Sequence, residues 1–231
     1  MTTLILLPGL LCDARLWAHQ REALSDLAQV VVGDLTVDDS IGAMAERVLA
    51  AAPPRFALAG LSMGGYVSFE IVRRAPERVE RLALVSTTAR PDTPEQTQRR
   101  KDAIALTRAG EFGKVVPSVL AALMTPANLD DPAIGGLARD MARVVGPEGF
   151  VRQQTAIMGR PDSRPTLAAI RCPTLVVCGR DDTLTPLDRA EEMASGVPGG
   201  RLAVVEHCAH LSAIERPAEV SAAMRQWLTG G

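Results

Sequence analysis

The sequence predicts an α/β protein: a mostly parallel sheet of about six strands, helices on both faces, and a helical insertion. Three observations lead there. Short apolar runs alternate with stretches of helical spacing, up to Arg90 and again from Thr166. The apolar runs are continuous rather than alternating with polar residues, as in strands buried on both faces. Between about Pro91 and Pro165 the strand-like runs stop, while helix-start signals recur.

Taken in order, Thr3 to Leu7 reads as a first strand stopped by Pro8-Gly9, and Leu16 to Leu27 has helical spacing. Val30-Val31-Val32 is β-branched and ends at Gly33-Asp34. Ser40 is an N-cap for a helix over Ile41 to Ala52, closed by Pro53-Pro54. Phe56 to Gly60 is a third strand, Gly64 to Ala75 a helix stopped by Pro76, and Leu82 to Val85 a fourth strand. In the insertion, Thr93-Pro94-Glu95, Asp131-Pro132 and Pro147-Glu148 each open a helix. Gly110, Gly146 and Gly159 fall where helices end, giving about four short helices. Strands resume at Thr174 to Val177 and Leu202 to Val205, and a last helix runs from about Pro217 to Leu228. Pro161 to Pro165 is the candidate hinge between insertion and core. The expected organisation is a single domain over 1–231, with a core of 1–90 and 166–231 and an insertion of about 91–165.

Composition narrows the function classes. The chain has 231 residues, 25 Lys+Arg and 27 Asp+Glu, for a net charge of -2. That balance gives no electrostatic reason to expect nucleic acid or an anionic membrane as partner. Cys12, Cys172, Cys178 and Cys208 form no C-x-x-C pair and, with three histidines, no zinc spacing. No metal and no cofactor are expected, and buried reduced thiols fit a cytoplasmic setting. The run Leu4 to Leu7 is too short for a signal segment or a membrane span.

The chemistry-bearing motif is Gly60-Leu61-Ser62-Met63-Gly64-Gly65, a G-x-S-x-G between an apolar strand and a helix. Its glycines flank a turn so sharp that nearby side chains would collide, and Ser62 then stands above the strand end. A serine hydroxyl needs a general base. His19 lies on a helix before the serine, whereas His207 and His210 follow the last strand, at the same sheet edge as Ser62. His210, deeper in its loop and freer to swing over the serine, is the better base. The imidazole needs an acid to hold its tautomer, and Asp181-Asp182 follows the strand ending at Val177; spacing alone does not choose between them. Two backbone N–H groups must face the developing oxyanion. Met63, after the serine, is one, and Leu10, in the turn Pro8-Gly9-Leu10, is the other.

These features resemble the α/β-hydrolase family, in its serine-nucleophile, esterase-like, lid-containing branch, over essentially the whole chain. Gly60-x-Ser62-x-Gly64 resembles its nucleophile elbow, and Trp17-x-x-Gln20 a pattern on its first helix. Gly179-x-x-Asp182 followed by Pro186 is similar to its acid loop, which selects Asp182. His210 followed by Glu215-x-Pro217 resembles its histidine loop. The resemblance implies a catalytic set of Ser62, Asp182 and His210, a lid in the insertion, and a pocket between lid and sheet. It also implies that the family's first two strands are absent.

Three departures stand out. Pro8 replaces the histidine often found at the oxyanion turn, Cys208-Ala209 precede His210 where glycine is frequent, and Leu61 and Leu211 depart from the carbon–carbon bond hydrolases of the family. A serine rather than a carboxylate nucleophile sets the chain apart from the dehalogenase and epoxide-hydrolase branches. The implied function is hydrolysis of a small carboxylic ester, thioester or lactone through an acyl-enzyme on Ser62. A carbon–carbon bond hydrolase, or a ligand-binding protein with a weak triad, is the alternative. Leu120, Leu123, Met124, Met141, Phe150 and Met158 are candidate pocket walls. Arg139, Arg143, Arg152 and Arg160 are candidate anchors for a substrate carboxylate. The sequence leaves the oligomeric state open.

Overall fold

Strands β1 (Thr2–Leu7), β2 (Ala28–Val32), β3 (Phe56–Leu61), β4 (Val79–Val85), β5 (Thr174–Gly179) and β6 (Arg201–Val205) form one sheet in a computed structural model that describes residues 1–230. The sheet order is β2-β1-β3-β4-β5-β6, and every pairing is parallel. The chain runs outward from β1 to β2 and then returns to place β3 on β1's other side. The order therefore reverses between β1 and β3, where their carboxyl ends leave a crevice. Ser62 and the Pro8-Gly9 turn both leave the sheet at that crevice.

The helices are α1 (Ala18–Ala23), α2 (Ile41–Ala51), α3 (Met63–Arg74), α4 (Pro94–Leu106), α5 (Phe112–Leu123), α6 (Pro126–Asp130), α7 (Ile134–Met158), α8 (Arg164–Leu167), α9 (Leu187–Gly196), α10 (Ser212–Glu215) and α11 (Pro217–Thr229). Successive strand residues point to opposite faces, and each face has its own helix layer. Ile5, Leu7 and Leu58 pack with Met44 of α2, Val67 of α3 and Met193 of α9. Leu4, Leu6 and Ala59 pack with Trp17 and with Val220 and Met224 of α11. Both layers are buried, as the continuous apolar runs require. Among the described residues no helix is long and apolar enough to cross a membrane.

Helices α4 to α7 lie between β4 and β5 and send side chains into both layers: Val115, Phe150 and Ile157 into one, Leu120, Met124 and Met141 into the other. Thr93 caps α4 in a full capping box with Gln96. Other details differ from the sequence reading. The expected helix over Leu16 to Leu27 splits into a tight 3-10 turn at Ala14–Trp17, capped by Asp13, and the short α1, which gives way to turns at Leu24. The expected start at Pro147 is a kink inside α7, made by Gly146 at φ 68°. An unforeseen start at Thr125-Pro126 opens α6, where the Thr125 hydroxyl accepts from Asn128 N–H. The expected hinge is pinned rather than free: Ser163 is buried, its N–H donates to Ala89 C=O at 2.7 Å, and its hydroxyl accepts from Arg73.

Candidate active site

Ser62 sits between β3 and α3 at φ 54°, ψ -111°, a conformation that L-residues occupy only under constraint. The constraint is steric. A Cβ on Gly60 would stand 2.2 Å from Gly64 C=O oxygen, and one on Gly64 would stand 2.2 Å from the Leu7 carbonyl oxygen. Strand, serine and helix can close this tightly only because both positions lack a side chain. Backbone bonds lock the turn: Ser62 N–H donates to Val85 C=O at 2.9 Å, and Ser62 C=O accepts from the Thr87 hydroxyl at 2.8 Å.

The Ser62 hydroxyl lies 2.8 Å from His210 Nε2, and His210 Nδ1 lies 2.8 Å from Asp182 Oδ2. These groups come from three loops at one sheet edge, and His210 and Asp182 are 1 % and 3 % exposed. Asp182 Oδ1 accepts the N–H groups of Leu184 and Thr185, and Oδ2 accepts the Thr185 hydroxyl at 2.7 Å. Burial alone would push this carboxyl up. The facing His210 ring and the hydrogen bonds from His210 and Thr185 outweigh burial, holding it below its ordinary range. An Asp182 kept ionised fixes the Nδ1–H tautomer and leaves Nε2 free to accept the serine proton.

The competing residues lie elsewhere. Asp181 is exposed and uses its backbone N–H on Cys208 C=O. His207 is exposed at φ 52°, and His19 Nδ1 meets the Ser221 hydroxyl on the α1–α11 side. Burial pushes the thiols of Cys12 and Cys178 up to about 12 and raises that of Cys208 further, so these thiols stay protonated and are poor rival nucleophiles. Among the described residues no cluster of three or more His, Cys, Asp or Glu side chains is arranged to hold a metal ion.

The Pro8-Gly9 turn packs directly on the serine, with the Cβ position of Gly9 3.5 Å from Ser62 Cβ. Met63 is the first residue of α3, where a helix leaves its N–H unpaired. Among the described residues neither Met63 N–H nor Leu10 N–H meets an acceptor. The next residue, Leu11, takes φ 59° and donates its N–H to Gln153 Oε1 of α7 at 2.9 Å. Gln153 is fully buried and donates in turn to Leu35 C=O.

The histidine loop is also held from the helical segment. His210 N–H and Leu211 N–H both donate to Leu123 C=O at 3.1 Å. Leu211 N–H further donates to Glu215 Oε1, while Glu215 Oε2 accepts from Thr125 N–H and Asn128 Nδ2. Sequence reading flagged Glu215 through its motif but passed over Gln153 and Asn128, and gave Thr185 no part in the site. Gln153 is bonded to a residue 142 positions away, and no local pattern reports such a partner.

The candidate arginines disperse. Arg139 and Arg143 border an outward cleft of about 490 Å³ beside Phe112 and Leu120. Arg152 borders one of about 470 Å³ between Pro8, Leu35 and Val145. Arg160 is buried and paired with Asp92 at 2.7 Å. Of the candidate walls, Leu120, Leu123, Met124, Met141 and Phe150 are buried in the core layers, and Met158 is half-buried.

Known proteins share this fold. The chain is 25% identical to the pimeloyl-[acyl-carrier protein] methyl ester esterase of Nitrosomonas europaea over 228 residues, 93% of this chain and 90% of that one. A thermophilic esterase from Thermogutta terrifontis, solved with malate bound, superposes with a TM-score of 0.91 at 29% identity, covering 100% of this chain and 90% of its own. The enol-lactonase of Burkholderia xenovorans LB400 does so with a TM-score of 0.90 at 27% identity, covering 99% and 92%. Residues 4–223 match the family model described as the alpha/beta hydrolase family. The chain thus belongs to the alpha/beta hydrolase family, as its elbow, acid and histidine loops suggest.

Proposed function

We propose that this protein is a serine hydrolase that cleaves a small carboxylic ester, thioester or lactone, with Ser62 as nucleophile, His210 as general base and Asp182 as the acid that orients it. The observation that carries the reading is the continuous 2.8 Å and 2.8 Å relay from Ser62 Oγ through the imidazole to Asp182. In the first step His210 Nε2 takes the Ser62 proton as Oγ attacks the carbonyl carbon. The carbonyl oxygen becomes an oxyanion, facing the N–H groups of Leu10 and Met63. The protonated imidazole then gives its proton to the leaving alkoxide or thiolate, and the acyl group remains on Ser62. Water, deprotonated by the same nitrogen, attacks the acyl-enzyme; collapse releases the acid and returns the proton to Ser62.

The named activities of relatives agree with this chemistry: a methyl ester esterase, an esterase and an enol-lactonase. A lactone is an internal ester whose leaving oxygen stays tethered to the acyl group, so the same residues serve it. In this reading helices α4 to α7 form the lid over a single domain, and the substrate enters between them and the sheet edge.

A small fluorophosphonate is expected to add once per chain, on Ser62, and 4-nitrophenyl acetate to be turned over. The Ser62→Ala variant should fold normally and lose both signals. An adduct located by mass spectrometry on another residue, or no adduct on the folded protein, would overturn the reading.

A further inference from the structure

Beside the acid loop lies a partly open space of about 110 Å³, bordered by Tyr66, Thr88, Arg90, Arg100, Arg160, Thr185 and Arg189. It is large enough for a small polar group; a water in the liquid occupies roughly 30 Å³. Its charge is unbalanced. Asp92 alone serves two arginines, with Arg100 Nε at 2.7 Å on one oxygen and Arg160 Nη1 at 2.7 Å on the other. The side chains of Asp92 and Arg160 are 2 % and 4 % exposed. Arg90 is matched by Glu192, and Arg189 by its neighbour Asp188. One guanidinium charge is left over around the space.

The donors are unbalanced as well. Arg160 spends Nε on Arg90 C=O and Nη1 on Asp92 and Ile157 C=O, but among the described residues its Nη2 has no acceptor. The Arg160 guanidinium lies 4.3 Å over the Tyr66 ring, an arrangement that steadies both groups. Tyr66 is 6 % exposed, and its hydroxyl has no partner among the described residues. Both unused donors belong to side chains that border the same small space. Nothing in the catalytic relay uses them.

We propose that this space is an oxyanion subsite, taking one carboxylate or phosphate group on Arg160 Nη2 and the Tyr66 hydroxyl. A planar guanidinium edge with a neighbouring O–H donor suits a two-oxygen group, and the surplus positive charge selects an anion over a neutral amide. Thr185 forms part of the wall, and its hydroxyl contacts both Asp182 and His210. The subsite therefore lies one side chain from the candidate triad. The anion is either the far carboxylate of an acidic ester, which would narrow the proposed substrate class, or a free anion held beside the triad.

Calorimetric titration with sodium phosphate and with sodium acetate, at constant ionic strength, tests binding without any turnover. Wild type should bind at least one of them saturably at one site. Tyr66→Phe keeps the ring under Arg160 and breaks no bond, so it should fold, and should weaken binding roughly tenfold. Arg189→Gln should weaken it less. Absence of saturable binding to either anion, or full affinity in Tyr66→Phe, would overturn the proposal.

The source is settled by comparing hydrolysis of monomethyl glutarate and methyl butyrate, followed by proton release. Phosphate competing only with the acidic ester, together with a raised KM for that ester alone in Tyr66→Phe, identifies the substrate's own carboxylate. Phosphate that binds without this selectivity identifies a free anion. Failure to hydrolyse either ester while phosphate still binds would count against the hydrolase reading and leave the subsite standing.

Discussion

Ser62 and His210 are placed by opposite means. Ser62 is placed by its immediate neighbours: Gly60 and Gly64 leave no room for any other path of the chain, and Leu7 on the adjacent strand closes the turn. His210 and the turn after β1 are placed from a distance. Leu123, Thr125 and Asn128 hold the histidine loop, directly or through Glu215, and Gln153 holds Leu11. The first construction is steric and tolerates almost no change. The second is a small set of polar contacts from the helical segment, of which those made by the side chains of Glu215, Asn128 and Gln153 can be removed singly.

The largest effects should come from the distant side, at the relay itself. His210→Ala is expected to lower kcat by several orders of magnitude, and Asp182→Asn by roughly 10⁴ as in the worked serine-protease case. His207→Ala and Asp181→Asn should stay within about twofold of wild type. Steady-state kinetics on one chromogenic ester decides this, and equal losses at Asp181 and Asp182 would remove the acid assignment. Asp182 also carries a pH signature. Its folded-state pKa lies below the unfolded value, so the stability it contributes is fully present above about pH 4 and is lost as pH falls through the folded value. Asp182→Asn should lack that part of the acid unfolding curve.

Next in size is the steric side. Gly64→Ala brings a methyl carbon to within 2.2 Å of the Leu7 carbonyl oxygen, and should lower stability by about 3 kcal/mol through backbone displacement. Denaturant unfolding measures it. An alanine tolerated there at wild-type stability would mean that the elbow is looser than its glycines imply, and the contrast between the two constructions would dissolve.

The smallest effects test the adjustable contacts. Glu215→Gln keeps an acceptor for Leu211 N–H, while Gln153→Leu leaves Leu11 N–H unpaired. Both should lower kcat with KM little changed, Gln153→Leu by roughly ten- to a hundredfold through misplaced geometry and Glu215→Gln by less. Fluorophosphonate labelling should slow in step with kcat. A rise in KM at constant kcat would instead assign Gln153 to substrate binding.

Much of this was legible from the chain alone, for physical reasons. β3, the elbow and α3 are announced by continuous apolar residues and by glycines at fixed offsets, because backbone sterics act within a few residues. The acid and base loops were legible only as positions at the right sheet edge. Asp182 was separated from Asp181 by family likeness, and what distinguishes them physically is burial and the Thr185 contacts. Within α4 to α7 the helix signals at Thr93 and Asp131 were readable, since capping is local. The kink at Gly146 and the reach of Gln153 were not, because they depend on what the helices pack against.

The order of the chain has a further consequence, for synthesis. Ser62 and its flanking glycines are translated early, yet His210, whose Nε2 meets the serine hydroxyl, lies 148 residues later. The β4 strand must likewise wait for β5, whose first paired residue, Thr174, is translated long after Leu82. At typical elongation speeds the interval between serine and histidine is on the order of ten seconds. Through that window a nascent chain carries Ser62 and its flanking glycines without His210 beside them. In the proposed mechanism, a chain that ended before His210 would carry the G-x-S-x-G motif without the base its serine needs.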